Sequence, residues 1–304
     1  MSGEIAIIVS DAPGWHGAQL KRALRARGWR ARYVSLRACR FDATQGAGVV
    51  LPGFGRRLPD GVLVRGIPGG TFEEVTFYLG MLHALRALGV PVYNDARAIE
   101  RSVDKSTTSF LLRHHGIPTP PAWALTDPAA ARALLIAETA HGHELVLKPL
   151  FGARGRGLQR LGPGATLPPS EAYAGVYYLQ RFVPPAGAVW CDWRVFVIGG
   201  EAVAAMRREA RDWVTNVARG AQCRQERLCD ALAAPACAAA AALGLDHAGV
   251  DLMRDADGRY VVIEVNGVPA WKGLQSVCPI NIAERLVDDL LGRWFAPVAR
   301  EAAP

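Results

Sequence analysis

The stretch that most restricts what this chain can fold into is Ala248-Gly-Val-Asp-Leu-Met-Arg-Asp-Ala-Asp-Gly-Arg-Tyr-Val-Val-Ile-Glu-Val-Asn266. Asp257-Gly258 signals a two-residue hairpin turn, because both central positions of such a turn need φ > 0. With that turn setting the register, residue 256 faces 259 and, counting outward, Asp251 lies directly opposite Glu264. Side chains alternate along a strand, so Asn266 shares the face of Glu264. Val250, Leu252, Val261, Ile263 and Val265 make both strands read as buried. Like charges directly opposite each other destabilise a sheet, so something positive must sit between them. Two carboxylates and an amide oxygen are hard ligands that suit Mg²⁺ bound partly through substrate phosphates. A carboxylate turned to solvent, or paired with an arginine, satisfies the same pattern.

The rest of the chain supplies the context. Its 304 residues, half of them apolar, are enough for a large core spread over two or three domains. No apolar run reaches the roughly 18 residues of a membrane span, and Met1-Ser-Gly-Glu4 passes straight into a strand without a signal peptide. The six cysteines form no Cys-x-x-Cys pair and have no histidines at zinc spacing beside them, so a reduced, cytoplasmic protein is expected. The formal charge of +7 calls for an anionic partner: a nucleotide, an acidic substrate or nucleic acid.

The first hundred residues alternate strand and helix. Glu4 to Val9 and Arg32 to Ser35 read as strands, with a helix over 17–27 stopped by Gly28. Gly61 to Arg65 is a short apolar strand followed by Gly66-Ile-Pro-Gly-Gly70. Thr71-Phe-Glu-Glu74 is a capping box that opens a helix with a Val75, Leu79, Leu82, Leu85 stripe, and Pro91-Val-Tyr93 returns to the sheet. Such alternation predicts a parallel sheet covered by helices. Arg65 then falls at the carboxyl end of a strand, where open α/β sheets place ligands, although a surface arginine would look the same.

Ser102-Val-Asp-Lys105 reads as the start of a further helix with Ser102 as its cap, ending at His115-Gly116 before a proline-rich connection, Ile117-Pro-Thr-Pro-Pro121. Glu144-Leu-Val-Leu-Lys-Pro149 is a short strand that leads into Leu150-Phe-Gly-Ala-Arg-Gly-Arg-Gly157. This loop lacks the Gly-Lys-Ser/Thr ending of a P-loop, and no strand-turn-helix unit makes it a dinucleotide fingerprint. Gly152, Gly155 and Gly157 still let backbone N–H groups approach a phosphate, with charge from Lys148, Arg154 and Arg156. A flexible surface turn would have the same composition. The alanine-rich run from Ala233 to Leu243 is a packed helix beside the acidic strand.

Taken together, the acidic hairpin, the two lysines and the glycine loop resemble the ATP-grasp superfamily over nearly the whole chain. That resemblance implies an α/β fold of α+β lobes closing on ATP and Mg²⁺ (Mn²⁺ as a substitute), preceded by a Rossmann-like pre-ATP-grasp domain. The expected divisions are a pre-ATP-grasp domain over 1–97, a central lobe with the phosphate-covering loop over 98–183, and a C-terminal lobe with the metal site over 184–304. Lys105 and Lys148 resemble the two phosphate-contacting lysines. Gln180-Arg-Phe-Val183 resembles the hinge that binds adenine, with Arg181 where the family usually carries Glu, and Asp192 is implied to lie near the nucleotide. Asp251, Glu264 and Asn266 match the metal ligands, while Ala270 departs from the common Pro-Gly ending.

Within that superfamily, Cys191-Asp-Trp-Arg194, Ala205-Met-Arg-Arg208, Trp213-Val-Thr-Asn-Val-Ala-Arg-Gly220 and Leu245-Asp-His-Ala-Gly-Val-Asp251 follow RimK-type α-L-glutamate ligases in order. Arg65-Gly-Ile-Pro-Gly-Gly70 and Asn94-Asp-Ala-Arg97 resemble the branch acting on C1-carrier cofactors of the methanopterin or methanofuran type. The implied chemistry activates an acceptor carboxylate as an acyl phosphate and joins L-glutamate to it. Arg194, Arg207 and Arg219 are the candidate phosphate- or carboxylate-positioning arginines, because arginine presents a planar fork to such groups. Asn216 is implied to lie with Arg219 near the γ-phosphate and acceptor, and Arg208 is a weaker candidate. The expected partners are a small-molecule acceptor and glutamate, without nucleic acid or membrane, in a homo-oligomer, dimer or tetramer. A second reading keeps the basic surface for nucleic acid, or ATP sensing without turnover; a third adds glutamate to a protein C-terminus, or adds another amino acid.

Overall fold

The computed structural model of the chain describes residues 3–152, 155–185, 187 and 189–295. Two units make it up: 3–97 with 270–275 and 279–295, and 98–269 with 276–278. The first unit contains β1 (Glu4–Val9), α1 (Gly14–Ala26), β2 (Arg30–Ser35), β3 (Arg40–Phe41), β4 (Val49–Val50), β5 (Gly61–Val64), α2 (Phe72–Ala87) and β6 (Val92–Tyr93). Its parallel sheet has the order β2-β1-β5-β6, as the alternating pattern predicts, and β3 pairs with β4 in a separate ribbon. Ile5, Ala6, Ile7 and Ile8 are fully buried, since the central strand of a parallel sheet is covered on both faces. Thr71 caps α2 in a complete capping box with Glu74.

The second unit opens with two helices where the sequence suggested one, α3 (Ala96–Val103) and α4 (Lys105–His114). The expected Ser102 cap is incorrect: Ser102 lies inside α3, its hydroxyl donating to the Ile99 carbonyl, and Asp104 accepts from the Ser106 and Thr107 amides instead. A carboxylate there complements the positive end of the helix better than a hydroxyl does. Next come β7 (Ala122–Leu125), α5 (Pro128–Ala140), β8 (Leu145–Lys148), β9 (Gln159–Leu161) and β10 (Tyr177–Arg181), giving an antiparallel sheet ordered β7-β10-β8-β9. Leu135 of α5 packs with Leu145, Leu147 and Leu179 to form its core.

The remaining strands are β11 (Trp190–Ile198), β12 (Glu201–Ala210), β13 (Gln222–Glu226), β14 (His247–Arg254) and β15 (Tyr260–Asn266). They form a second antiparallel sheet ordered β13-β12-β11-β14-β15, and α6 (Asp230–Leu243) supplies Leu232, Ala236, Ala239 and Leu243 to the core against one face. Alanine keeps that helix cheap in side-chain entropy and lets it approach the strands closely. The C-terminal elements α7 (Lys272–Gln275) and α8 (Ile282–Trp294) belong to the first unit, where α8 packs on α1. The sequence had left them with the second lobe. Among the described residues no helix is long and apolar enough to cross a membrane.

Candidate active site

Both hairpins of the five-stranded sheet carry a one-residue irregularity, and these place the charges. In β14–β15 the expected two-residue turn is incorrect. Asp255 accepts from the Asp257 and Arg259 amides, and the Gly258 amide donates to the Asp255 carbonyl, so the loop holds three residues with Gly258 at φ 77°. Arg254 accordingly pairs with Tyr260, one step off the predicted register. A bulge at Ile263 restores the step, so that Asp251 does lie opposite Glu264, and Gly249 opposite Asn266. The bulge also brings Ile263 and Glu264, neighbours in sequence, to the wall of one pocket with Asp251 and Met253. In β11–β12 the shift falls between Phe196 and Val197, which puts Asp192 across from Arg208.

One face of this sheet thus gathers Arg208, Asp192, Arg194, Asp251 and Glu264 on four successive strands. Arg194 grips Asp251 with both ends of its fork, Nε to Oδ1 and Nη2 to Oδ2, each at 2.6 Å. Arg208 does the same to Asp192, again at 2.6 Å twice, and reaches Asp251 Oδ2 at 3.0 Å. Thr215 donates its hydroxyl to Asp192. Bidentate, charge-assisted contacts of this kind hold buried carboxylates ionised. Burial works against the charge on Asp251, but the two guanidiniums outweigh it and hold the carboxyl below the usual carboxylate range. The arginine partner that the hairpin pattern allowed is therefore present. Arg208 and Thr215, which sequence reasoning underrated or missed, complete the cluster. The signal for Arg208 was its approximate cross-strand position from Asp192 about the Gly199-Gly200 turn, but the bulge shifts it by one residue.

Arg207, expected among the catalytic arginines, lies opposite Trp193 on the other face of the sheet and pairs with Glu209. Strand alternation sends it away from the pocket, and that expectation is corrected. Arg219 lies on an exposed single-turn helix, Val217–Arg219, and lines a neighbouring cavity with Glu209, Arg211 and Asp212. Asn216 faces the main pocket, and a Cβ on Gly155 would come within 2.9 Å of its Oδ1; with φ at 67°, that position of the glycine loop favours glycine.

The opposite wall comes from the smaller sheet, the start of α4 and the glycine loop. Lys105, Lys148, Gly152, Gly155, Gln180, Arg181, Phe182 and Val183, all anticipated, line it together with Arg156, while the anticipated Asp192 lines the pocket from β11. Lys148 donates to Gln180 Oε1 at 2.7 Å, and burial, helped by the charge of Lys105, depresses its proton affinity to a pKa of about 8. Burial also lowers that of Lys105, against the pull of Glu264, while its ammonium donates to the Leu150 and Gly152 carbonyls at 3.3 and 3.1 Å. The side chain of Arg181 is spent on Glu138, which leaves its backbone to the pocket. Gly157 lies outside the lining; its carbonyl accepts from Tyr173 and anchors the loop. Arg154 lies outside the described residues. Val146, Leu158, Phe182, Met253 and Ile263 give the pocket an apolar slot, with Arg160 over the Phe182 ring at 4.0 Å.

Among the described residues no three His, Cys, Asp or Glu side chains are arranged to hold a metal. The acidic donors here are two, and the third is an amide. Asn266 Nδ2 donates to the Gly249 carbonyl at 3.2 Å, and Asn266 is not among the residues that line the pocket with Asp251 and Glu264. The two carboxylates, opposite each other on adjacent strands, fit a hard cation that takes its remaining ligands from phosphates, provided Asp251 exchanges part of its arginine contact.

In the first unit, Arg65 directly follows β5, its amide donating to the Ile8 carbonyl, and its guanidinium lies 5.3 Å from the Trp271 ring centre. Burial lowers its pKa to about 10. His16 Nε2 accepts from the Trp271 and Lys272 amides, and burial with the charges of Arg65 and Lys272 holds that imidazole neutral, with a pKa of about 4.

The model of the RimK-like ATP-grasp domain matches residues 102–290. The tetrahydromethanopterin:alpha-L-glutamate ligase of Methanococcus maripaludis is 36% identical over 208 residues, 66% of this chain and 70% of that protein. A probable alpha-L-glutamate ligase of Thioalkalivibrio sulfidiphilus is 32% identical over 300 residues, 93% of this chain and 94% of that one. Among solved structures, the ATP-grasp ligase PsnB complexed with minimal precursor superposes with a TM-score of 0.73 at 22% identity, covering 96% of this chain and 99% of its own. At that identity the likeness speaks for the fold.

Proposed function

This chain belongs to the RimK-like ATP-grasp family, and from that premise we propose that it joins L-glutamate to a carboxylate-bearing small molecule of the C1-carrier type, tetrahydromethanopterin or a methanofuran-like compound. It is an ATP-dependent, ADP-forming acid–amino-acid ligase. A binding or sensing module without turnover is set aside, because the relatives that match along most of the chain are ligases. The observation that carries the reading is a single pocket in which Lys105 and Lys148 face Glu264 and Asp251 beside an apolar slot. A binder of nucleic acid has no use for carboxylates buried among cations.

The chemistry follows from the weakness of a carboxylate as an electrophile. An acceptor oxygen attacks the γ-phosphorus of ATP, the bond to the β,γ-bridging oxygen breaks, and ADP and an acyl phosphate result. The glutamate amine then adds to the acyl carbon, a proton leaves the nitrogen, and phosphate departs with the former carboxylate oxygen. Lys148 and Lys105 neutralise phosphate oxygens, and Lys105 ties the start of α4 to the loop that covers them. Phe182, Met253 and Ile263 sandwich the base while the 180–183 backbone reads its edge. Mg²⁺, or Mn²⁺ in its place, would be held by Asp251, Glu264 and Asn266 and would stabilise charge on the transferring phosphoryl group. Arg194 and Asn216, with Arg219 on the adjoining turn, orient the γ-phosphate and the acceptor. By family likeness the enzyme works as a homo-oligomer, dimer or tetramer, and its free cysteines suit the reducing cytoplasm.

The test is purified protein with Mg²⁺-ATP, glutamate and candidate acceptors. ADP should accumulate beyond one equivalent of enzyme only when acid and amine are both present, with a product heavier by one glutamyl residue. ADP release indifferent to acceptor and amine would refute the proposal.

A further inference from the structure

Helix α2 is apolar on its outer face as well as its inner one. Tyr78, Met81, Leu82 and Leu85 are buried on the inner face. On the outer side Phe72 and Phe77 are 83% and 37% exposed, and Leu88, the C-cap, is 43% exposed. Phe41 of β3 joins them, 49% exposed, with its ring centre 5.6 Å from that of Phe77. With about 3.6 residues per turn, Glu73, Phe77, Gly80, Ala84 and Ala87 share the outward stripe, flanked by Phe72 and Leu88. A surface helix of a globular protein carries a polar outer face, and a helix apolar all round is a covered one. Large apolar side chains gathered in one exposed patch mark an interaction surface.

Gly80 lies at the centre of that stripe. Glycine inside a helix is destabilising relative to alanine, yet a Cβ built on Gly80 meets no described atom within 4 Å. No neighbour in the chain needs the space. A second helix packed closely against this point does, because the side chains at a crossing set how near two helix axes come.

The face is also complementary to itself. Gly80 is midway between Phe72 and Leu88, and midway between Glu73 in the first turn and Ala87 in the last, beside Arg86. A two-fold axis at Gly80 sets α2 antiparallel to its own copy. Phe72 then meets Leu88 of the partner subunit, Phe77 packs over Ala84 of the partner subunit, and Glu73 reaches Arg86 of the partner subunit. Arg86 is 61% exposed beside Asp95, so it is accessible to a second carboxylate. Each pairing occurs twice, as in any isologous interface. The positive end of each helix dipole also faces the negative end of the other.

We propose that the outer face of α2, with Phe41, is the surface through which two copies of this chain associate, the helices crossing antiparallel at Gly80. This rests on the homo-oligomer of the reading above and on no other part of it.

Sedimentation equilibrium of the full chain across the micromolar range should give a multiple of the chain mass. Phe77→Asp and Gly80→Arg place charge and bulk in the crossing, and each should weaken self-association roughly tenfold or more while the circular dichroism spectrum stays unchanged. Cysteine pairing tests the geometry. Gly80→Cys, once oxidised, should link two chains through a disulfide, because the crossing brings both copies of that position together. Ala87→Cys alone should not link, whereas Ala87→Cys mixed with Glu73→Cys should; the wild type under the same oxidant gives the background from its native cysteines. An assembly of four chains that both charged variants reduce to two supports the same surface. Monomer at every concentration would overturn the proposal together with the homo-oligomer. An assembly unchanged by both folded variants, or linked by Ala87→Cys alone and not by Gly80→Cys, would overturn this interface and leave the oligomer standing. If neither charged variant folds, the cysteine pattern decides by itself. ADP formation enters none of these readings, so the proposed reaction stands or falls separately.

Discussion

The two walls of the pocket handle charge in opposite ways. On the side of the smaller sheet, Lys148 of β8 and Lys105 at the start of α4 are desolvated cations held by neutral oxygens, and both have lowered proton affinity. On the five-stranded sheet every buried charge of the Asp192–Arg208–Asp251–Arg194 set has a bidentate opposite. A cation kept short of counter-charge attracts an anion, whereas a balanced set holds its geometry. Under the proposed function, the first wall takes the phosphates and the second the metal and the developing acyl phosphate.

The contrast can be broken by substitution. Glu264 bridges the two walls electrostatically, raising the proton affinity of both lysines. Glu264→Ala should lower the rate of ADP formation by about a thousandfold while the circular dichroism spectrum stays unchanged, in line with the loss of an electrostatic group at a reacting centre. A turnover rate near the wild type would remove Glu264 from the ligand set. Arg208→Met leaves Asp192 without its fork, and stranding a buried charge costs about 3–5 kcal/mol. Chemical denaturation should record a loss of that size, partly recovered by adding Asp192→Asn. A neutral result would mean that the set is not structurally coupled.

The lysine wall makes a prediction about pH. In the folded, nucleotide-free protein Lys148 titrates near 8, below its unfolded value, so between about pH 8 and the ordinary lysine range the unfolded chain binds more protons. The contribution of this group to stability therefore rises with pH through that window and is lost as pH falls through 8. Nucleotide affinity should move the other way, weakening roughly tenfold from pH 7 to 9.5 as the ammonium loses its proton. Lys148→Arg should flatten that profile in equilibrium titrations with an ATP analogue. The smallest effect expected is that of Arg207→Ala: because the side chain faces away from the pocket, kcat/KM should change less than about twofold.

How much of this the sequence disclosed depended on how local the determinants were. The first-unit sheet was legible from alternating apolar strands and the Thr71–Glu74 capping box, both short-range signals. The Asp251–Glu264 pairing was also legible, but through two compensating departures: the Asp255 side chain builds a longer turn, and the Ile263 bulge takes the extra residue back out. In β11–β12 a single bulge sets Arg208 across from Asp192 and Arg207 on the other face, whereas the planar fork that alone puts Arg207 forward carries no register to say which face it takes. A one-residue slip exchanges the faces of a strand, so only the register separates the two. The association of 279–295 with the first unit depends on the Leu286, Val287 and Leu290 face of α8 packing with α1, a contact between the two ends of the chain that no local pattern announces.

The most direct test of the account follows the oxygen of the acceptor. With ¹⁸O at both oxygens of the acceptor carboxylate, single-turnover reaction with Mg²⁺-ATP and glutamate should deliver one labelled atom to each inorganic phosphate released, measured by phosphorus NMR or mass spectrometry. Unlabelled phosphate alongside formed amide would contradict activation through an acyl phosphate, and with it the work assigned to both walls.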